Sequence, residues 1–167
     1  YYAVKLESSW DWGEVFFKNA ATNISIINSK LHDSGRDVLK VTPGSDNLLV
    51  QNNEIFNSGI RDDRNAEGID VVNADNVVIR GNFIHDIATT GAYLKGGSKS
   101  GVIEDNYVLN TGTSTHTSPN SGAGLALGYE TDGEWHDDDN TAYIATFDSI
   151  IRNNIIENTA DAGVMVL

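Results

Sequence analysis

Cysteine is absent from the 167-residue chain, which excludes disulfides, zinc–thiolate sites and thiol nucleophiles. A small disulfide-stapled scaffold is excluded with them, so the core must come from apolar packing alone. Proline occurs only twice and positive charge is scarce: 11 Lys and Arg stand against 24 Asp and Glu, a net charge of −13. No basic face can be assembled from so few cations, which argues against a nucleic-acid partner or an anionic membrane surface. No apolar run approaches the roughly 18–20 residues that a bilayer span needs, so no membrane insertion is expected. Also missing is the i, i+3, i+4, i+7 apolar recurrence of an amphipathic helix. Without crossover helices, an α/β layered fold is not expected. The chain opens at Tyr1 without a basic or apolar leader, and reads as a processed product or a piece of something longer.

Asparagine is abundant, with 18 residues, many of them paired or preceding short β-branched runs. Their placement is periodic. The segments beginning at Asn23, Asn47, Asn76, Ser100 and Asp148 align without gaps over eleven residues, at spacings of 24, 29, 24 and 48. Each copy carries two or three runs of three to five residues with apolar alternation, the strand period. Short strands at a fixed period without helices describe an all-β solenoid, a parallel β-helix of about six coils with one coil per repeat. The second copy holds a small insertion and the fourth a long lateral loop, residues 111–147.

In such a stack, equivalent side chains sit about 4.8 Å apart in vertical files. Val78, Ile84 and their equivalents Ser25, Leu49, Leu31, Ile55, Val108 and Ile156 are expected to point inward. Ser29, Asn53, Asn82, Asn106 and Asn154 form one polar file, and Asp33, Asn57, Asp86, Asn110 and Asn158 a second. Stacked amides can satisfy one another and the turn backbone, so these files read as turn ladders. A third strand follows in each copy, its first and third residues apolar. Its middle residues Phe16, Lys40, Asp70, Tyr93, Ala126 and Met165 are expected to face water. The first coil (Tyr1 to Thr22, with Trp10 and Trp12 as its cover) and the last (Asp148 to Leu167) stop in mid-repeat. One domain spanning 1–167 is expected, either a fragment of a longer solenoid or a unit that self-associates end to end.

The repeated Asn-Asn-x-Ile-x-Asn units resemble the right-handed parallel β-helix repeats of the pectate-lyase-like superfamily over residues 13–167. The loop Leu127-Gly128-Tyr129-Glu130-Thr131-Asp132 is similar to one found in secreted bacterial β-helix proteins. The resemblance implies a secreted or cell-surface protein acting on an acidic polysaccharide, often as a calcium-dependent lyase. The superfamily also includes non-catalytic adhesins, tail spikes and filament components. The Asn-Thr-Asp, Gly-His-Gly and Arg-Ile-Lys motifs of galacturonan hydrolases of this fold do not occur here. Asp62-Asp63 stands without them. The Trp-Ile-Asp-His and Arg-x-Pro-x-x-Arg patterns of the best-known pectate lyases are absent too.

Elimination on a uronic acid needs the carboxylate neutralised, a base for the adjacent proton and an acid for the leaving oxygen. A protein of charge −13 repels a polyanion, so a bridging cation such as calcium is called for. The third strands supply candidates: Glu67 and Asp70 for the cation, Lys95 as base, Tyr93 as acid or stacking platform, Lys40 as a substrate contact. The same residues also suit a solvated ladder of alternating charge. The stretch Glu130 to Asn140 holds six carboxylates, of which Glu130, Asp132, Asp137 and Asp139 are a second candidate calcium set. Trp135 and Tyr129 could stack on sugar rings or pack on the coil below. His32 and His85 lie two coils apart with Phe56 between them, too far to share a metal. The expected function is extracellular polysaccharide binding and cleavage. The competing class is a non-catalytic scaffold: adhesin, surface-layer or filament subunit.

Overall fold

The computed structural model describes residues 15–17, 21–116 and 121–167. The expected cover from Trp10 and Trp12, and the side chain of Phe16, lie outside the described residues. Among the described residues, three parallel sheets run along the stack, and each full coil contributes one short strand to each. The first sheet contains Ser25–Ile27, Leu49–Gln51, Val78–Arg80, Val102–Glu104 and Ile150–Arg152. The second contains Lys30–His32, Glu54–Phe56, Phe83–Ile87, Tyr107–Thr111 and Ile155–Thr159. The third contains Val15–Phe17, Leu39–Val41, Ile69–Val72, Ala92–Lys95, Leu125–Leu127 and Val164–Val166. Every pairing is parallel, and each strand bonds only to its equivalents one coil away. That is a parallel β-helix. The only helical element among the described residues is a single 3₁₀ turn, Gly133–Trp135.

Three sharp corners per coil explain the asparagines. The residues just before the first strand (Asn23, Asn47, Asn76, Ser100, Asp148) all have φ between +46° and +59°. A second left-handed file follows that strand, at Asn28, Asn52, Gly81, Asp105 and Asn153, and a third follows in Asp33, Asn57, Asp86, Asn110 and Asn158. Asn, Asp and Gly tolerate this conformation where a branched side chain does not. The inner polar file bonds along the stack. Each amide Nδ2 of Asn53, Asn82 and Asn106 donates to the Oδ1 of the next residue in the file at 2.9–3.0 Å. The backbone N–H of each donates to that same oxygen at 2.9 Å. The ladder reading holds, and these buried amides are consumed by structure.

The core forms where the three sheets face inward. Leu31, Ile55, Ile84, Val108 and Ile156 line up inside as expected. In the first sheet the inward file is Ile26, Val50, Ile79, Ile103 and Ile151. The expected Val78, with Leu49 and Ser25, lies on the outer side, one residue off. Both 78 and 79 are apolar, so alternation alone does not choose between them, and a slip of one residue exchanges the faces. Outside the second sheet, His32, Phe56 and His85 stack ring on ring at 4.8 Å, the spacing of the rungs. Phe83 and Tyr107 continue alongside at 5.1 Å.

The long insertion is two pieces, because the strand Leu125–Leu127 interrupts it. The piece after that strand, residues 128–145, lies beside the third sheet. It returns to the rod through Thr146–Phe147, which pairs with Ser98–Lys99. Asn73 Nδ2 donates to Asp137 at 2.9 Å, Lys99 pairs with the same carboxylate at 3.4 Å, and Gly97 N donates to Ala145 O.

Candidate functional site

The third sheet places Lys40, Asp70, Tyr93, Ala126 and Met165 in one outward file, in the expected register. The expectation that this file faces water is wrong. Lys40 is 8 % exposed, Asp70 0 %, Tyr93 1 % and Ala126 0 %. Period-two alternation reports which side of a sheet a residue occupies, not whether another part of the chain covers that side.

Two residues ahead of each strand runs another file, in which Asp37 stands over Glu67. The Glu67 N–H donates to Asp37 Oδ1 at 3.1 Å. Asp37, Glu67 and Asp70 are all buried, and one carboxylate oxygen from each lies within 4.8 Å of the others. Lys40 ion-pairs with Asp70, and its Nζ lies 3.8 Å from Asp37 Oδ2. Three buried carboxylates thus face one ammonium. Burial, then the charges of Glu67 and Asp70, push the Asp37 carboxyl well above the usual range. Burial pulls Lys40 down, but Asp70 and Asp37 outweigh it and the ammonium is held more firmly than usual. Burial, then Asp70, Glu67 and Asp37, push the Tyr93 phenol far up, so it stays protonated.

Asp70 Oδ1, buried here, makes no well-formed hydrogen bond, and the Tyr93 phenol bears on the Asp70 carboxylate. A buried carboxylate oxygen left this way costs free energy on the order of kilocalories unless something binds it. Hard oxygen donors at this spacing fit calcium, which takes six to eight oxygens, some of them from carboxylates binding through both atoms and some from water.

Lys95 ends the strand Ala92–Lys95 and is nearly buried. Its Nζ lies 4.4 Å from the Tyr93 ring centre and 5.7 Å from that of Tyr129. Tyr129 stacks on Tyr93 with ring centres 5.9 Å apart and planes nearly parallel, and its Oη accepts a hydrogen bond from Ser121 N. The expected sugar platform is therefore occupied by a protein ring. Trp135 is half-buried in its 3₁₀ turn.

The loop carboxylates do not converge. Among the described residues the only cluster of three metal-ligating groups is Asp37, Glu67 and Asp70. Glu130, Asp132, Asp137 and Asp139 are exposed along the loop. Asp137 is held by Asn73 and Lys99, and the Asn73 hydrogen bond leads in lowering its pKa. The structure thus keeps Glu67 and Asp70 together, adds Asp37, and separates the second set. Asp37 could have been found by extending the register of the third strand two residues toward its start, where Asp37 matches Glu67.

A family model described as a right-handed β-helix region matches residues 14–167. No curated protein and no solved structure matches the chain.

Proposed function

The chain belongs to the right-handed β-helix family, and on that scaffold we propose a cation-assisted lyase site for an acidic, uronate-containing polysaccharide outside the cell. The observation that carries this reading is the trio Asp37, Glu67 and Asp70, joined along one sheet face to Tyr93 and Lys95. The trio would hold calcium, which when bound neutralises a uronate carboxylate and so acidifies the adjacent C–H. Lys95 takes that proton through Nζ. Tyr93, kept protonated by burial and neighbouring charge, gives its hydroxyl proton to the leaving glycosidic oxygen. Lys40 and Tyr129 flank the groups that react, and the polymer reaches them only when the Tyr129 ring leaves Tyr93.

The test is absorbance from unsaturated uronate products on alginate, pectate and glycosaminoglycans, with calcium and with chelator. Calcium-dependent product is expected from the wild type. Lys95→Ala is expected to lower the rate by at least about a hundredfold, within the usual worth of a general base. An unchanged Lys95→Ala rate removes that assignment.

The burial of Asp70, Glu67 and Tyr93 favours a second reading, a non-catalytic scaffold in which the trio is a structural cation site. That reading expects calcium to raise the melting temperature with no product from any polymer. End-to-end assembly, checked by sedimentation, belongs to the same reading.

A further inference from the structure

We infer that Lys40 is a tethered counter-ion filling the carboxylate trio, which a divalent cation must displace in order to bind. The inference rests on the cation site proposed above and concerns how that site is held without its ion.

Asp37, Glu67 and Asp70 bring three carboxyl groups into a volume that retains at most 2 % exposure. Left alone, such a trio would have to give up charge or keep the strands apart, because water cannot solvate it. Lys40, on the coil of Asp37 and one coil from Glu67 and Asp70, answers this. Its Cα pairs with that of Asp70 in the sheet register, which carries the side chain across the rung onto the Asp70 carboxylate, with Asp37 within 4 Å. The ammonium therefore stands among the oxygens that would ligate a metal. Metal–oxygen distances for calcium are about 2.3–2.6 Å. An ion bonded to Asp70 and Asp37 would lie within a few ångströms of Nζ if Lys40 stayed, and two positive centres so close in a buried site repel strongly.

One lysine does not complete the site. Asp70 Oδ1, fully buried, still lacks a well-formed hydrogen bond, and the buried Tyr93 phenol, on which the charges of Asp70, Glu67 and Asp37 all act, bears on the same carboxylate. An ammonium has three donors and a single charge. A divalent ion brings a second charge and more coordination positions. The arrangement is a site kept folded by a weaker, built-in cation.

The experiment is calorimetric titration of calcium chloride into wild type, Lys40→Met and Lys40→Arg, with thermal melts in chelator and in calcium. Lys40→Met keeps the apolar stem and removes the charge. It is expected to bind calcium at least tenfold more tightly than wild type, to melt lower than wild type in chelator, and to gain more from calcium. Lys40→Arg, which keeps the charge, is expected to bind no more tightly than wild type. If Lys40→Met does not fold in chelator, it is prepared in calcium and its affinity read by chelator competition. Wild type that binds calcium while Lys40→Met binds equally or more weakly overturns the counter-ion role and leaves the cation site standing. Absence of calcium binding in wild type and Lys40→Met alike overturns the cation site itself. Binding by Lys40→Met alone supports displacement, with Lys40 winning in the native chain.

Discussion

A single asparagine can serve this rod in two incompatible ways, and neighbouring residues divide the work. Asn52 occupies a left-handed corner at φ +55°, whereas Asn53 turns inward and joins the amide ladder. Different costs follow for different substitutions. Asn82 accepts from both the backbone and side chain of Asn53 and donates to Val50 O and Asn106. Asn82→Ala strands a buried backbone N–H and is expected to lose about 2–4 kcal/mol, read from the denaturant midpoint. Asn52→Gly, at an exposed corner, is expected to change stability by less than about 1 kcal/mol, because glycine adopts that φ freely. Asn52→Val should cost about 1–2 kcal/mol for the left-handed strain. A ladder position and a corner position that proved equally sensitive would contradict this division.

The third strand is the element that sets the site, and its approach is governed by glycine. Gly68, Gly91 and Gly124 stand in one file ahead of that strand, each close against its neighbours. A Cβ on Gly91 would lie 2.4 Å from Gly124 O and 3.0 Å from a Val108 methyl, and one on Gly68 would lie 2.4 Å from Gly91 O. These glycines are required by space and not by φ. Gly91→Ala is expected to cost about 1–3 kcal/mol by overpacking. It should also reduce calcium binding at the trio, because Gly91 immediately precedes the strand carrying Tyr93. Parallel thermal melts and calcium titrations check both effects, and an unaltered melting temperature would refute the close-approach argument. The lateral loop is fitted by the same means. Gly97 has φ +97°, and a Cβ there would meet the Asn140 amide at 3.0 Å.

At the scale of the whole molecule, like residues stacked rung over rung carry a net charge of −13. Self-repulsion of that size opposes compaction and is screened by salt. Raising ionic strength from about 0.01 to 0.15 M shortens the screening length from about 30 to 8 Å. The melting temperature in chelator is expected to rise by a few degrees over that range. A fall would mean that attractive surface pairs, such as Lys99 with Asp137 and Arg64 with Asp62, outweigh the repulsion. Exposed pairs of this kind are worth at most about 1 kcal/mol each, so a rise is the expected sign.

The repeat period, the all-β class, the stacking register of the third strands and the amide ladder were legible in the amino-acid order, because a solenoid writes each contact as a recurring residue type. The inward file of the first sheet was not, since Val78 and Ile79 satisfy either alternation equally. The pairing of Lys40 with Asp70 and Tyr93 follows from register, whereas their burial does not. Coverage of a sheet face depends on segments that the repeat does not encode. Tyr129, expected either to meet sugar or to pack on the coil below, stacks its ring on Tyr93. The dense run of loop carboxylates looked like a metal site because its members are close in sequence, yet the loop spreads them and ties Asp137 to Asn73 and Lys99. Asp37 lies 30 residues before Glu67 and meets it only because one turn of the coil returns the chain to the same height. Periodic side chains determined the rod. Only folding decided which acids share a space, because that depends on what the rod brings back alongside itself and what closes over it.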